Sequence, residues 1–213
     1  MKNIILTIFI FAASISAQDK NFQIEVGMNN AFFKYEAKRF SNLETDFTPA
    51  VTGGIYYKIA GSESNSLFAG VKYFSFERKV NEQFEYIIPD IFFSRYNLTF
   101  KYISFPFQLK NRLWNSSVSS IINIQPSYLI KSELITDASG YWIVERRIES
   151  DQTGNMNRIQ IFIGAGVEID LNIFDQEFGV KTLFNYNPFN VPQREDLEDY
   201  KIMEAELTFT YSF

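Results

Sequence analysis

From Phe22 to the end of the chain, apolar and polar residues alternate with a period of two, and helical spacing is not sustained in any segment. Successive side chains of an extended strand point to opposite faces, so this pattern predicts β-strands with one apolar and one polar face. The last segment is the clearest example. Its apolar face carries Met203, Ala205, Leu207, Phe209, Tyr211 and Phe213, and its other face carries Ile202, Glu204, Glu206, Thr208, Thr210 and Ser212.

The same alternation predicts eight strands. They cover residues 22–32, 47–60, 67–78, 96–109, 118–130, 159–171, 178–186 and 202–213. Tyr56, Phe68 and Phe74 are exceptions, because they fall on the polar face of their strands. In the fourth strand the apolar residues change face between Tyr102 and Ile103, which predicts a β-bulge near Pro106, a residue that cannot donate to a ladder.

The connections between these strands alternate in length. Residues 61–65, 111–117 and 172–175 form short links, and residues 37–46, 79–93, 132–157 and 187–201 form long ones. Short periplasmic turns and longer extracellular loops are typical of outer-membrane barrels, in which the number of strands is even. Asp137–Gly140 and Tyr141–Ile148 predict a turn and one more strand. We expect them to form a hairpin above the membrane, because a ninth spanning strand would break the even count.

Alternation alone does not say whether the apolar face meets lipid or a protein core, so a secreted soluble barrel or sandwich is the alternative. Three features favour lipid: the export signal described below, aromatic residues near both strand ends, and polar faces with charges of both signs, which are costly on a lipid surface. The sequence therefore predicts an all-β fold, an eight-stranded antiparallel up-and-down transmembrane β-barrel with a packed polar interior and no open pore. The interior charges are Glu25, Lys72, Glu168, Lys181, Glu204 and Glu206.

The first residues have the pattern of a secretory signal. Lys2 is followed by a short apolar run, and the run ends in small residues at Ala17. The run is shorter than the 20 or so apolar residues of a spanning helix. We expect residues 1–17 to be a signal peptide and residues 18–213 to be the barrel domain. Ile15 is bulky for a position close to the cleavage site, so the bond that is cut is less well defined.

Composition narrows the chemistry. The chain has no His and no Cys, so it lacks the usual general base, the usual metal ligands and disulfides. The net charge of −5 and the scattered basic residues exclude a nucleic-acid partner. Glu204 and Glu206 share a strand face and form either an acid/base pair of a His-independent enzyme or part of an interior ion network. Residues 195–199 form a solvated acidic loop or a weak cation site. The sequence predicts no catalytic, cofactor or metal residue, and thus no enzyme.

Two predicted exterior segments are unusually apolar. Tyr86–Phe93 and Tyr141–Val144 place aromatic and aliphatic residues in long loops, where a solvent-facing surface is ordinarily polar. Exposed apolar surface of this kind marks contact with a protein partner, or the residues extend the strands and pack on one another.

Two short motifs resemble known outer-membrane proteins. Glu206–Phe213 resembles the C-terminal strand of bacterial outer-membrane barrels, and Lys101–Lys110 resembles the Tyr-x-x-(Ile/Leu)-Pro-x-x-Leu-Lys strand of PorT-like barrels of Bacteroidetes, a group of small OmpA-like barrels. Ser104 stands where that family often has Glu. The resemblance implies the outer membrane of a Gram-negative bacterium, recognition of Phe213 by the barrel-assembly machinery, and a structural or interaction role as an accessory to a secretion or envelope complex.

Overall fold

The computed structural model describes residues 21–35, 44–46, 48–62, 64–85, 91–113, 117–140, 143–173, 176–189, 191 and 200–213. Eleven strands lie within these residues. They are β1 (Phe22–Tyr35), β2 (Glu44–Asp46), β3 (Ala50–Gly61), β4 (Asn65–Glu85), β5 (Ile91–Ser104), β6 (Phe107–Arg112), β7 (Val118–Gly140), β8 (Ile143–Asp151), β9 (Ile159–Ile173), β10 (Gln176–Tyr186) and β11 (Tyr200–Ser212). None of the described residues belongs to a helix long and apolar enough to cross a membrane. The predicted signal peptide lies outside the described residues.

The strands close into a single antiparallel barrel. β1 pairs with β3 and β11, and the circuit continues through β10, β9, β7, β5 and β4 back to β3. β6 continues β5 along the same line, because it pairs with the same two neighbours, β4 and β7. The wall therefore has eight staves, that is, eight strand positions around the barrel, of which β5 and β6 share one. The predicted eight-stranded barrel is confirmed. Phe22 and Phe213 exchange backbone hydrogen bonds of 3.1 and 2.9 Å where the first and last strands of the barrel meet.

The apolar faces of the strands point outward. Phe209 is 65% exposed and Ile163 is 50% exposed, whereas Glu204 and Glu168 are buried at 0% and 2%. A soluble barrel or sandwich requires the reverse arrangement. An apolar outer band around a polar lumen is the arrangement of an outer-membrane β-barrel, and closure satisfies the backbone hydrogen bonds that hydrocarbon cannot. The chain is thus an outer-membrane barrel of the Gram-negative type, as expected.

The phase change expected between Tyr102 and Ile103 is wrong. Tyr102 faces inward, Ile103 faces outward, and the alternation continues without a break to Leu109. The inner face itself changes from aromatic to polar along this stave, and that change imitates a shift of register. The ladder is irregular nearby: β5 ends before Phe105 and Pro106, and the pairing with β7 shifts between Lys101 and Tyr102.

The predicted hairpin in the third long connection is confirmed, although its boundaries differ from those expected. β7 has 23 residues, and its distal part pairs with β8 from Glu133–Asp151 to Gly140–Ile143. The expected turn at Asp137–Gly140 is part of β7. Asp137 lies directly opposite Arg147 in this ladder, and opposite charges at paired positions favour continuation of the strands.

Gly70 makes room for the buried Tyr56 ring. A Cβ atom on Gly70 would lie 2.6 Å from Cδ1 of Tyr56 and 2.5 Å from the carbonyl oxygen of Ile55. We expect Gly70→Ala to lower the free energy of unfolding by about 1–3 kcal/mol, the usual cost of overpacking. Urea titration of the folded protein in lipid vesicles measures this. Gly154→Ala is the control, because no atom of the described residues lies within 4 Å of its Cβ position. Equal midpoints for the two variants would contradict the packing.

Replacement of Phe209 by a charged residue tests whether its side chain faces lipid. Phe209→Lys should weaken insertion by about 2–4 kcal/mol, the cost of a lysine near the centre of a membrane barrel's lipid face. The fraction folded into vesicles is measured by the difference in gel mobility between unboiled and boiled protein. Glu149→Lys, on the exposed part of the hairpin, should fold as the wild type does. Normal insertion of Phe209→Lys would contradict the assigned face.

The charged interior as the candidate functional site

The centre of the lumen is crossed by buried ion pairs. Lys181 binds the Glu25 carboxylate at Oε2, and Lys72 lies 3.4 Å from Oε1 of the same group. Lys72 also binds the Glu206 carboxylate. The side chains of all four residues are almost completely buried. Because β1, β4, β10 and β11 each contribute one member, this central ion network ties half of the staves together across the lumen.

Two further side chains complete the central ion network. The Tyr56 hydroxyl donates to Oε1 of Glu25 at 3.4 Å, and the Gln108 amide donates to the Tyr56 hydroxyl oxygen at 3.3 Å. Lys181 lies 5.1 Å above the Tyr56 ring and donates to Oε1 of Gln108 at 3.4 Å. β3 and β6 thereby join the four strands already linked. A charged lumen with hydrogen bonds on most of its polar atoms offsets the cost of removing these ions from water.

A second charged group lies nearer the periplasmic turns. Lys110 lies 3.3 Å from Glu168 and 2.7 Å from Asp170, and Arg112 lies 3.7 Å from Asp170. Gln23 and Thr210 also donate to Glu168, at 3.1 and 2.6 Å. Two cations thus face two carboxylates at this level.

Glu204 and Glu206 have separate partners. Glu206 binds Lys72, while Glu204 accepts hydrogen bonds from the side-chain amides of Asn29, at 2.7 Å, and Asn185, at 3.1 Å. These contacts agree with the ion-network alternative. The acidic segment 195–199 lies outside the described residues. Within the described part of the chain, no group of three or more carboxylates is placed to hold a metal ion.

The interior is not polar throughout, so the expectation of a packed polar interior is wrong for the extracellular half. An aromatic cluster fills that half, with Phe74 stacked on Tyr102 at 5.1 Å and perpendicular to Phe162 at 5.7 Å. Large rings fill a narrow lumen by packing on one another, so the inner face need not be polar at every level. The full cluster is Phe74, Phe76, Phe100, Tyr102, Leu129, Met156, Phe162, Val191 and Ile202.

Beyond the lipid-facing band, charges on β5, β7 and β8 pair in the extracellular sheet. Hydrogen bonds from Lys131 and Lys101 lower the pKa of the Glu133 carboxyl. The Thr153 hydroxyl and backbone amide both donate to Asp151 and lower the pKa of its carboxyl. The Thr153 hydroxyl oxygen also accepts from the buried Ser132 amide at 2.9 Å. This chain of hydrogen bonds fastens the base of the hairpin to β7.

Comparison with known proteins gives matches among solved structures only. No family model and no curated protein matches the chain. The attachment invasion locus protein Ail of Yersinia pestis is 14% identical, with 92% of this chain and 100% of Ail covered and a TM-score of 0.46. Neisserial surface protein A is 10% identical, with coverage of 93% and 100% and a TM-score of 0.46. OprG of Pseudomonas aeruginosa is 10% identical, with coverage of 91% and 95% and a TM-score of 0.45.

The central ion network predicts that the free-energy cost of removing one charge depends on whether its partner is still present. Lys72→Met leaves Glu25 and Glu206 with Lys181 as the only remaining lysine of the network, and breaking a buried pair costs about 3–5 kcal/mol. Lys72→Met with Glu206→Gln removes both charges and should regain most of the loss. The free energies of unfolding of the two single variants, the double variant and the wild type, measured in vesicles with urea, give the coupling. Additive effects would contradict a direct pair.

Proposed function

We propose that this chain is a structural and interaction protein of the outer membrane, in which the closed barrel anchors an extracellular sheet that contacts a partner. The observation that carries the proposal is the combination of a filled lumen with strands that continue far beyond the membrane. A filled lumen offers no path for solutes, whereas extended strands offer an exposed surface.

Filling of the lumen argues against an open pore. Eight staves leave room for side chains only. Here the central ion network contributes residues from β1, β3, β4, β6, β10 and β11 at one level, and the aromatic cluster lies above it. A hydrated solute would have to break buried ion pairs and displace stacked rings to cross.

The same filling argues against an enzyme. Glu204 and Glu206, the carboxylates with the best claim to acid/base chemistry, are at most 4% exposed and engaged by amides and a lysine. A substrate could not reach them without opening the barrel. The absence of His removes the most common general base as well.

The extracellular sheet is the surface that fits a partner. A barrel strand spans the membrane with about 9–11 residues, but β4 has 21 residues and β7 has 23. Their distal parts pair with β5, and the sheet is widened by β2 on β4 and by β8 on β7. The result is one wall of strands standing above the membrane on one side of the barrel. Tyr86–Pro89 and Tyr141–Trp142 lie outside the described residues.

The finer parts of the proposal rest on the two sequence motifs. The PorT-like segment Lys101–Lys110 supports an accessory role in a secretion or envelope complex. The aromatic end of β11 supports recognition by the barrel-assembly machinery, and Phe213 stacks on Phe22 at 5.9 Å in the seam that closes the barrel. Export to this location goes with a signal peptide, and residues 1–17 would be that peptide and would be removed by signal peptidase.

A closed lumen predicts no steady conductance. Purified protein, shown to be folded by its gel mobility, is inserted into planar lipid bilayers and the current is measured at fixed voltage. We expect no channel steps above the lipid background, because no water-filled path crosses the central ion network. Regular conductance steps that scale with salt concentration would contradict the proposal.

Partner contact is tested by site-specific crosslinking in intact cells. A photoreactive amino acid replaces Glu149 on the exposed hairpin or, as the matched control, Ser64 in a periplasmic turn; both positions are exposed. We expect a discrete crosslinked product from position 149 and none of the same mass from position 64. Identical products at both positions, or no product at position 149, would contradict contact through the sheet.

A further inference from the structure

The described charges of the central lumen do not balance. Three carboxylates, Glu25, Glu204 and Glu206, face two lysines, Lys72 and Lys181, and all five are buried. Lys72 contacts Glu25 and Glu206, and Lys181 contacts Glu25. Glu204 contacts only amides among the described residues. With all five groups ionised, one negative charge is left over among the described residues, and the pairs nearer the periplasm do not offset it, because Lys110 and Arg112 already face Glu168 and Asp170.

Two buried oxygen atoms beside Glu204 accept no hydrogen bond. They are Oδ1 of Asn29 and Oε1 of Glu206, and no residue that the structure describes donates to either. Asn29 and Glu206 are direct partners in the β1–β11 ladder, and Cβ atoms of such partners lie about 5 Å apart on one face. The nitrogen of the Asn29 amide is committed to Oε1 of Glu204. A buried acceptor without a donor costs free energy, so two of them next to an unbalanced carboxylate indicate a missing positive group.

The chemistry of these atoms selects the class of ligand. All are carboxylate or amide oxygens, which favour hard cations over transition metals. A monovalent ion cancels the leftover charge, whereas a divalent ion would leave an excess of positive charge. We propose that the barrel interior binds one alkali-metal cation between Glu204, Glu206 and Asn29, with water completing its coordination.

The proposed ion site is enclosed on both sides. On the periplasmic side lie the Lys72, Glu25, Lys181 and Tyr56 side chains of the central ion network. On the extracellular side, Ile202 precedes Glu204 by two residues on the same face and belongs to the aromatic cluster. The ion therefore enters when the barrel closes and stabilises the folded state by binding it and not the unfolded chain.

Unfolding in matched salts tests the site. Protein in vesicles is titrated with urea at pH 9, where protons are scarce, in sodium or potassium chloride or in choline chloride at equal concentration. At an alkali-cation concentration ten times the dissociation constant, we expect the unfolding equilibrium constant to be about tenfold lower than in choline. Glu204→Gln should abolish the difference, and Glu149→Gln, which removes one charge from the exposed hairpin, should retain it. Asn29→Ala, which keeps all three carboxylates, should require a higher cation concentration for the same effect and serves if Glu204→Gln does not fold.

Crystals grown with thallium(I), a heavy substitute for potassium, give a direct second measurement. We expect an anomalous peak between Glu204, Glu206 and Asn29 in the wild type. Equal unfolding in alkali and choline salts at pH 9 would overturn the proposal. Such a result would overturn it whether or not stability depends on pH. A steady fall in stability from pH 6 to pH 9 would identify a bound proton in place of the cation. A crystal without the anomalous peak would also overturn it.

Discussion

Unpaired backbone groups and charges cost free energy in hydrocarbon, and this single constraint determines how the chain is arranged. Pairing of β1 with β11 removes the sheet edges, so every spanning strand has a partner on both sides. Once the wall is closed, period-two alternation sends one set of side chains to lipid and the other into the lumen. The outward Val26, Ile163 and Phe209 and the inward Glu25, Glu168 and Glu206 are two results of the same constraint.

Different kinds of side chain fill the lumen at different levels. Near the periplasm and at the centre, charges are kept because each can reach an opposite charge or an amide on another stave, as Lys72 reaches both Glu25 and Glu206. Towards the extracellular end, Phe74, Tyr102 and Phe162 fill the space with rings. Because both kinds of side chain occupy the lumen, we propose that it is closed and that the extracellular sheet on β4, β5 and β7 is the surface that contacts a partner.

The fold was predictable because closure and alternation leave a strong local signature, which is clearest in β11, whose outer positions from Met203 to Tyr211 are apolar or aromatic. The interior was less predictable. Tyr56 and Phe74 stood on faces classed as polar, and the apparent phase change at Tyr102 was a change of the inner face from aromatic to mostly polar side chains. Which side chains meet across a barrel depends on register and shear, and the sequence of a single strand determines neither. The pairing of Lys181 with Glu25, 156 residues apart, is of this kind.

The contact of the outer face with lipid is tested most directly by isoleucine methyl groups, which sit on both faces of the wall. Ile122 and Ile163 are 56% and 50% exposed, while Ile121 and Ile202 are buried at 2% and 0%. In lipid nanodiscs, magnetisation transfer from acyl-chain protons to labelled methyls should reach Ile122 and Ile163 and leave Ile121 and Ile202 unaffected. Transfer to Ile121 and Ile202, with none to Ile122 and Ile163, would contradict the inside-out barrel on which the account rests.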